Sequence, residues 1–302
     1  MGCCPSLSTP FFFKGTEKKG ELYNMTTIHQ QQLEKLIQFQ HPEKILDFLP
    51  GLTETQIATL FQLDTADYQR LKSRFQEQVR ETAQSLLDDA AFADGIDRLP
   101  FQPGEIVLGL GESSTDDLLS WLELLRQAFE LRRPHDQVRF VNAGVSGQTT
   151  TQALRSLTAT LLQKPNWLIC FVGANDVQRI GFPLAKSLVS LEETARNVAA
   201  IQHLAATQTK ARQIWIIPPL VVSERIAANP FFQRLQLTWN NEDLIALGDL
   251  LRRKSGDVLD LQALFGNPTS PDLMYPDGLH PSLAGQQAIV RALVKHLIER
   301  NT

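Results

Sequence analysis

The chain has 302 residues, with 29 Lys and Arg against 33 Asp and Glu, a formal net charge of -4 and 43% hydrophobic residues. This balance excludes a disordered chain and a fibrous repeat, and it offers no general field for collecting phosphates, so nucleic acid is not an expected partner. Three cysteines, Cys3, Cys4 and Cys170, cannot build a disulfide framework and suit a reducing, cytoplasmic compartment. No apolar run approaches the roughly 20 residues that a transmembrane helix needs.

Residues 1–26 mix Pro, Gly, Lys and Ser without a sustained period and read as a mobile leader. Gly2 and Ser6, with Cys3 and Cys4 between them, have the spacing of an N-terminal lipidation signal, although Pro5 inside the motif favours a chance match. Residues 27–100 read as an N-terminal helical region. There Thr53 and Gln56 make a capping box, and Leu71, Phe75, Val79, Ala83 and Leu86 recur at three and four as the stripe of a helix over Asp67 to Leu87. The cadence of Leu52 to Phe75 also suits a helix-turn-helix. With only Arg70, Lys72 and Arg74 to meet phosphates, a hairpin that braces another surface is the simpler expectation.

Pro100 and Pro103 punctuate Asp94 to Gly104, the best boundary, and residues 101–302 form the second expected domain. Short apolar strands then alternate with helices. Strands are expected at Glu105–Leu110, Val138–Val141, Trp167–Val172, Gln213–Ile217 and Val258–Leu261. Helices are expected at Asp116–Leu131, Thr150–Leu162, Leu191–Ala206, Phe231–Arg253 and Ser282–Glu299. The crossovers are long enough for parallel pairing, which predicts an α/β/α sandwich on a five-stranded parallel sheet, with active groups at the carboxyl ends of the strands.

Polar residues gather there. The first three strands run into Gly111-Glu112-Ser113-Ser114-Thr115, Asn142-Ala143-Gly144-Val145-Ser146-Gly147 and Gly173-Ala174-Asn175-Asp176, and Asp277-Gly278-Leu279-His280-Pro281 precedes the last helix. Ser113 alone reads first as an ordinary helix cap. Together with His280 as a base, and Asp277 three residues before it to hold the imidazole, it makes a nucleophile arrangement. Pro281 suits the first helical position, which places His280 at the helix start.

These four segments resemble the conserved blocks of the SGNH, or GDSL-type, hydrolase superfamily, in family order over about residues 105–300. The resemblance implies a three-layer flavodoxin-like sandwich in which Ser113 attacks an acyl carbonyl, His280 is general base and then acid, and Asp277 orients it. It also implies an oxyanion hole made of the backbone N–H of Ser113, the backbone N–H of Gly144 and the side-chain amide of Asn175. Glu112 stands where the signature usually has Asp, and Asp176 reads as a loop-fixing acceptor. The Gly-x-Ser-x-Gly elbow and the phosphate-loop and dinucleotide patterns are absent, and the histidines form no ligand cluster, so neither cofactor nor metal is expected.

The expected substrate is a small-molecule carboxylic ester with a small or medium acyl group, met by Arg179, Phe182, Phe231 and Phe232 in the loops after the strands. Carbohydrate O-deacetylation, thioester hydrolysis and lysophospholipid cleavage use the same apparatus. A binding or regulatory role for the N-terminal helices is the alternative of another class, and the pattern leaves a homo-oligomer open.

Overall fold

The computed structural model describes residues 30–46, 49, 51–182 and 185–300. The leader and its lipidation spacing at Gly2, Cys3 and Cys4 lie outside the described residues. The chain divides into two units, Met1–Leu36 and Ile37–Thr302. A helix over residues 30–39, α1, spans the division. The second unit continues with α2 (Pro42–Ile45), α3 (Glu54–Leu60), α4 (Thr65–Leu87) and α5 (Ala90–Asp97). The capping box forms as read: Thr53 accepts from the Gln56 N–H while the Gln56 side chain accepts from the Thr53 N–H.

The α/β part begins with β1 (Ile106–Gly111), α6 (Ser113–Asp116), α7 (Trp121–Arg132), β2 (Arg139–Gly144), α8 (Thr150–Leu161) and β3 (Trp167–Phe171). Two short strands, β4 (Arg179–Ile180) and β5 (Lys186–Ser187), precede α9 (Leu191–Gln208) and β6 (Arg212–Ile217). The chain then runs through α10 (Ser223–Ala228), α11 (Pro230–Arg234), β7 (Leu237–Thr238), α12 (Asn241–Lys254), β8 (Val258–Asp260), α13 (Leu261–Phe265) and α14 (Leu283–Glu299).

Strands β1, β2, β3, β6 and β8 form one parallel sheet in the order β2-β1-β3-β6-β8. Alternate residues of each strand face opposite sides, so the sheet divides the core in two. Val107, Ile169, Phe171 and Ile216 pack with α7 and α14 on one face, while Leu108, Cys170, Trp215 and Ile217 pack with α8, α9 and α12 on the other. Helix α4 adds Val79, Ala83 and Leu86 to the first of these cores, as a brace would. Phe92, Ile96, Leu99 and Phe101, on either side of Pro100, lie in that same core.

Three local expectations are corrected. The helix expected over Asp116–Leu131 is two, because Asp117 leaves the helical region and Ser120 caps a new start at Trp121. The long piece expected over Phe231–Arg253 breaks where Gln236 takes a positive φ of 53° and Leu237–Thr238 joins a second, antiparallel sheet in the order β5-β4-β7. Pro281 is not the first helical residue. It bridges to Met274, and Ser282 caps α14 by accepting from the Gly285 N–H.

Candidate active site

Strand β1 ends at Gly111 and the chain turns at once into α6, whose first residue is Ser113. As the first residue of a helix, Ser113 has no intrahelical acceptor for its N–H, which is left beside its own hydroxyl. Gly144 closes β2 against this turn. A Cβ there would lie 2.6 Å from the Asp116 nitrogen, so only glycine allows the approach.

Asp277, Gly278, Leu279 and His280 form a tight turn before α14. Asp277 Oδ1 accepts from the N–H groups of Leu279 and His280 at 3.0 and 3.1 Å. Gly278 takes a φ of 77°, and a Cβ on it would meet the Val222 carbonyl at 2.7 Å. The other oxygen, Asp277 Oδ2, lies 3.0 Å from His280 Nδ1, and His280 Nε2 lies 2.9 Å from Ser113 Oγ. Asp277 is buried while Ser113 and His280 are partly exposed. A carboxylate inaccessible to water, an imidazole and a hydroxyl in series can move a proton off the hydroxyl and hold the imidazolium that results.

The donors around this hydroxyl are committed more fully than the sequence implies. The Gly144 N–H donates to Asn142 Oδ1 at 3.0 Å. In the loop after β2, the N–H groups of Val145, Ser146 and Gln148 go to the Gly111 carbonyl, Asp116 Oδ2 and the Val145 carbonyl. Gly147, at a φ of 81°, is left as the loop's uncommitted N–H among the described residues. Asn175 Nδ2 directs its two hydrogens to Glu112 Oε2 at 3.0 Å and to the Gln148 carbonyl at 3.1 Å.

Glu112 thus ties the nucleophile turn to the loop after β3, since it also accepts from the N–H groups of Ala174 and Asn175 at 3.2 and 3.3 Å. Burial pushes its carboxyl up to about 8, although the N–H groups directed at it pull the other way. Asp176 accepts from the Thr150 N–H and from the hydroxyls of Thr150 and Thr194, which joins the same loop to the start of α8 and to α9. Burial raises its pKa as well.

A cavity of about 20 Å³ opens beside Ser113 and His280, walled by Phe171, Pro218, Pro219, Val221, Leu244 and Leu279. The residues expected to meet substrate do not line it. Arg179 is held by both oxygens of Asp243, at 2.7 and 2.9 Å, and by the Ala185 carbonyl, so its charge is already paired. Phe182 and Phe231 are exposed, and Phe232 is buried against Trp239. No group of three or more His, Cys, Asp or Glu among the described residues is placed to hold a metal. No helix among them is long and apolar enough to cross a membrane.

Ser113, His280 and Asp277 thus stand together at the carboxyl edge of a five-stranded parallel sheet with helices on both faces. Residues 106–288 match the GDSL-like lipase/acylhydrolase family, and the chain belongs to it as a carboxylic ester hydrolase. No curated protein matches the sequence. Among solved structures, the chain is similar to LAE5, an α/β hydrolase enzyme from the metagenome of Lake Arreo, Spain, at 22% identity and a TM-score of 0.53 over 65% of this chain and 96% of that one. It is also similar to a catalytic mutant of Axe2, an acetylxylan esterase from Geobacillus stearothermophilus, at 19% identity and a TM-score of 0.51 over 65% of this chain and 95% of that one. At these identities the likeness shows the fold.

Proposed function

We propose that the protein hydrolyses esters of a small acyl group through an acyl-enzyme on Ser113. The observation that carries this is the continuous chain from Ser113 Oγ through His280 to Asp277 Oδ2, with links of 2.9 and 3.0 Å. His280 Nε2 takes the hydroxyl proton as Ser113 Oγ bonds to the acyl carbon, and the carbonyl electron pair moves onto its oxygen. When that pair returns, the C–O bond to the alcohol breaks and His280 protonates the leaving oxygen. Water then repeats the sequence on the acyl-enzyme, and Ser113 recovers its proton. Asp277 keeps the hydrogen on Nδ1 and stabilises the imidazolium.

Two backbone donors support the oxyanion, the N–H of Ser113 and that of Gly147. Gly147 replaces Gly144 in this role because the Gly144 N–H is held by Asn142. The Asn175 amide is the third donor. Both of its hydrogens have protein acceptors, so one of these bonds is shared or exchanged when the oxyanion forms.

The cavity, about 20 Å³, is little larger than the roughly 10–15 Å³ that one water occupies on the same measure. Its narrowness favours a small acyl group such as acetyl, as an O-acetylated carbohydrate would supply, over the long acyl chain of a lysophospholipid. In a series of p-nitrophenyl esters the acetate should exceed the octanoate at least about tenfold in kcat/KM, and Ser113→Ala should lower kcat at least about a thousandfold. Preference for the octanoate would overturn the acyl size. Turnover retained by Ser113→Ala would overturn the serine route.

A further inference from the structure

The family match begins at Ile106, yet a segment some seventy residues upstream reaches the candidate catalytic cluster. In the stretch 37–46, Ile37, Gln38, Phe39 and His41 are all buried. The Phe39 ring lies against the His280 imidazole, with centroids 5.0 Å apart and planes tilted by 42°. It also meets the Tyr275 ring edge-on at 6.1 Å. The Gln38 side-chain amide donates to Asp117 Oδ1 at 2.8 Å and to the Tyr275 hydroxyl at 2.9 Å, and the Gln38 backbone carbonyl accepts from the Leu118 N–H. The Tyr275 N–H in turn donates to the His280 carbonyl at 2.8 Å.

Two bonds in the imidazole plane, to Asp277 and to Ser113, leave the ring free to tilt about the line that joins them. The Phe39 ring, tilted by 42° against the imidazole, restricts that freedom. The hydrogen bonds of Gln38 hold the element that carries this ring contact, because they pin it to the loop after α6 and to the tyrosine that anchors the His280 backbone. Farther along the same stretch, Lys44 Nζ meets Asp116 Oδ1 at 2.6 Å and the Gly144 carbonyl at 2.9 Å, while His41 Nδ1 lies 2.7 Å from Asp116 Oδ1. Burial opposes the charge on Asp116, and the contacts with His41 and Lys44 outweigh it and hold its carboxyl below the usual range.

We propose that Phe39 and Gln38 are positioning residues for His280, and that residues 37–46 are a fixed strap without which the hydrolase site is incomplete. The proposal rests on His280 being the base, so the test begins with Ser113→Ala. If that variant keeps turnover of p-nitrophenyl acetate, the reading of the site fails and the strap has nothing to position.

Given its loss, the informative comparison is Phe39→Leu against Phe39→Tyr, with Gln38→Met as an independent second variant. Each is measured for kcat, KM, the rate and final stoichiometry of fluorophosphonate labelling, and thermal midpoint. Phe39→Leu should lower kcat and labelling rate together by about tenfold, with KM within about twofold and one label still bound per chain at exhaustion, because misplacement of a catalytic group slows chemistry more than binding. Phe39→Tyr, which keeps a ring face, should recover most of the rate. Gln38→Met should lower kcat in the same way, and it decides the matter alone if Phe39→Leu does not fold. Wild-type kcat per labelled site in the Leu and Met variants, equal losses in the Leu and Tyr variants, or a loss explained by fewer labelled sites would each overturn the proposal.

Discussion

Asp277 and His280 lie within one short motif whose geometry is local, while Ser113, 167 positions from His280, stands out only through its joint placement with them. An acid three residues before a histidine, in a turn that Gly278 allows, reaches both its N–H and its ring. What single residues do not announce is competition for their hydrogens. Nothing in Gly173-Ala174-Asn175-Asp176 signals that the Asn175 amide is held by Glu112 and Gln148, partners 63 and 27 positions away. If Asn175 supports the oxyanion, Asn175→Ala should lower kcat by about a hundredfold to a thousandfold with little change in KM, measured on the acetate ester. Glu112 makes a separate prediction for stability. Burial raises its carboxyl from 4.5 to about 8, so between those values the folded protein holds a proton that the unfolded chain releases. The corresponding stability is complete below the unfolded value and is lost as pH rises through the folded one. The thermal midpoint of the wild type should therefore fall from pH 6 to pH 9, and that of Glu112→Gln should fall less; parallel curves would remove Glu112 as the cause.

At the scale of elements, the long stripes were legible and the short pieces were not. Helix α4 shows Val79, Ala83 and Leu86 at helical spacing and buries all three. Leu86→Ala should cost about 2–5 kcal/mol, while Leu60→Ala, on α3 and 56% exposed, should stay within about 0.5 kcal/mol, both read from denaturant unfolding. The strands of the parallel sheet were placed to within three residues at either end because each is an apolar run between turn residues. Strands β4, β5 and β7 have two residues each, too few to display any period, and β7 lies inside what reads as one helix. Their sheet sets Arg179 against Asp243. This is the reason that the expected pocket, read from which loops follow which strands, named Arg179 and three phenylalanines and not the Pro218, Pro219 and Leu244 wall.

For the whole molecule, the two-faced core follows from alternation along the strands, whereas the reach of residues 37–46 into the site depends on contacts such as that of Gln38 with Tyr275, across 237 positions, that no periodicity reveals. The same long-range packing bears on how the chain can be cut. Removing everything before Phe101 takes Val79, Ala83, Leu86, Phe92 and Ile96 out of a core shared with the sheet, so the fragment should aggregate in light scattering; a monodisperse, fully active fragment would contradict this. The central claim, that Ser113 is the nucleophile of an ester hydrolase, is tested most directly by intact mass after fluorophosphonate treatment, followed by peptide mapping. One adduct per chain, located on the peptide that contains Ser113 and absent from folded Ser113→Ala, is the expected result. An unlabelled wild type that still turns over ester, or an adduct that persists in the alanine variant, would contradict the account.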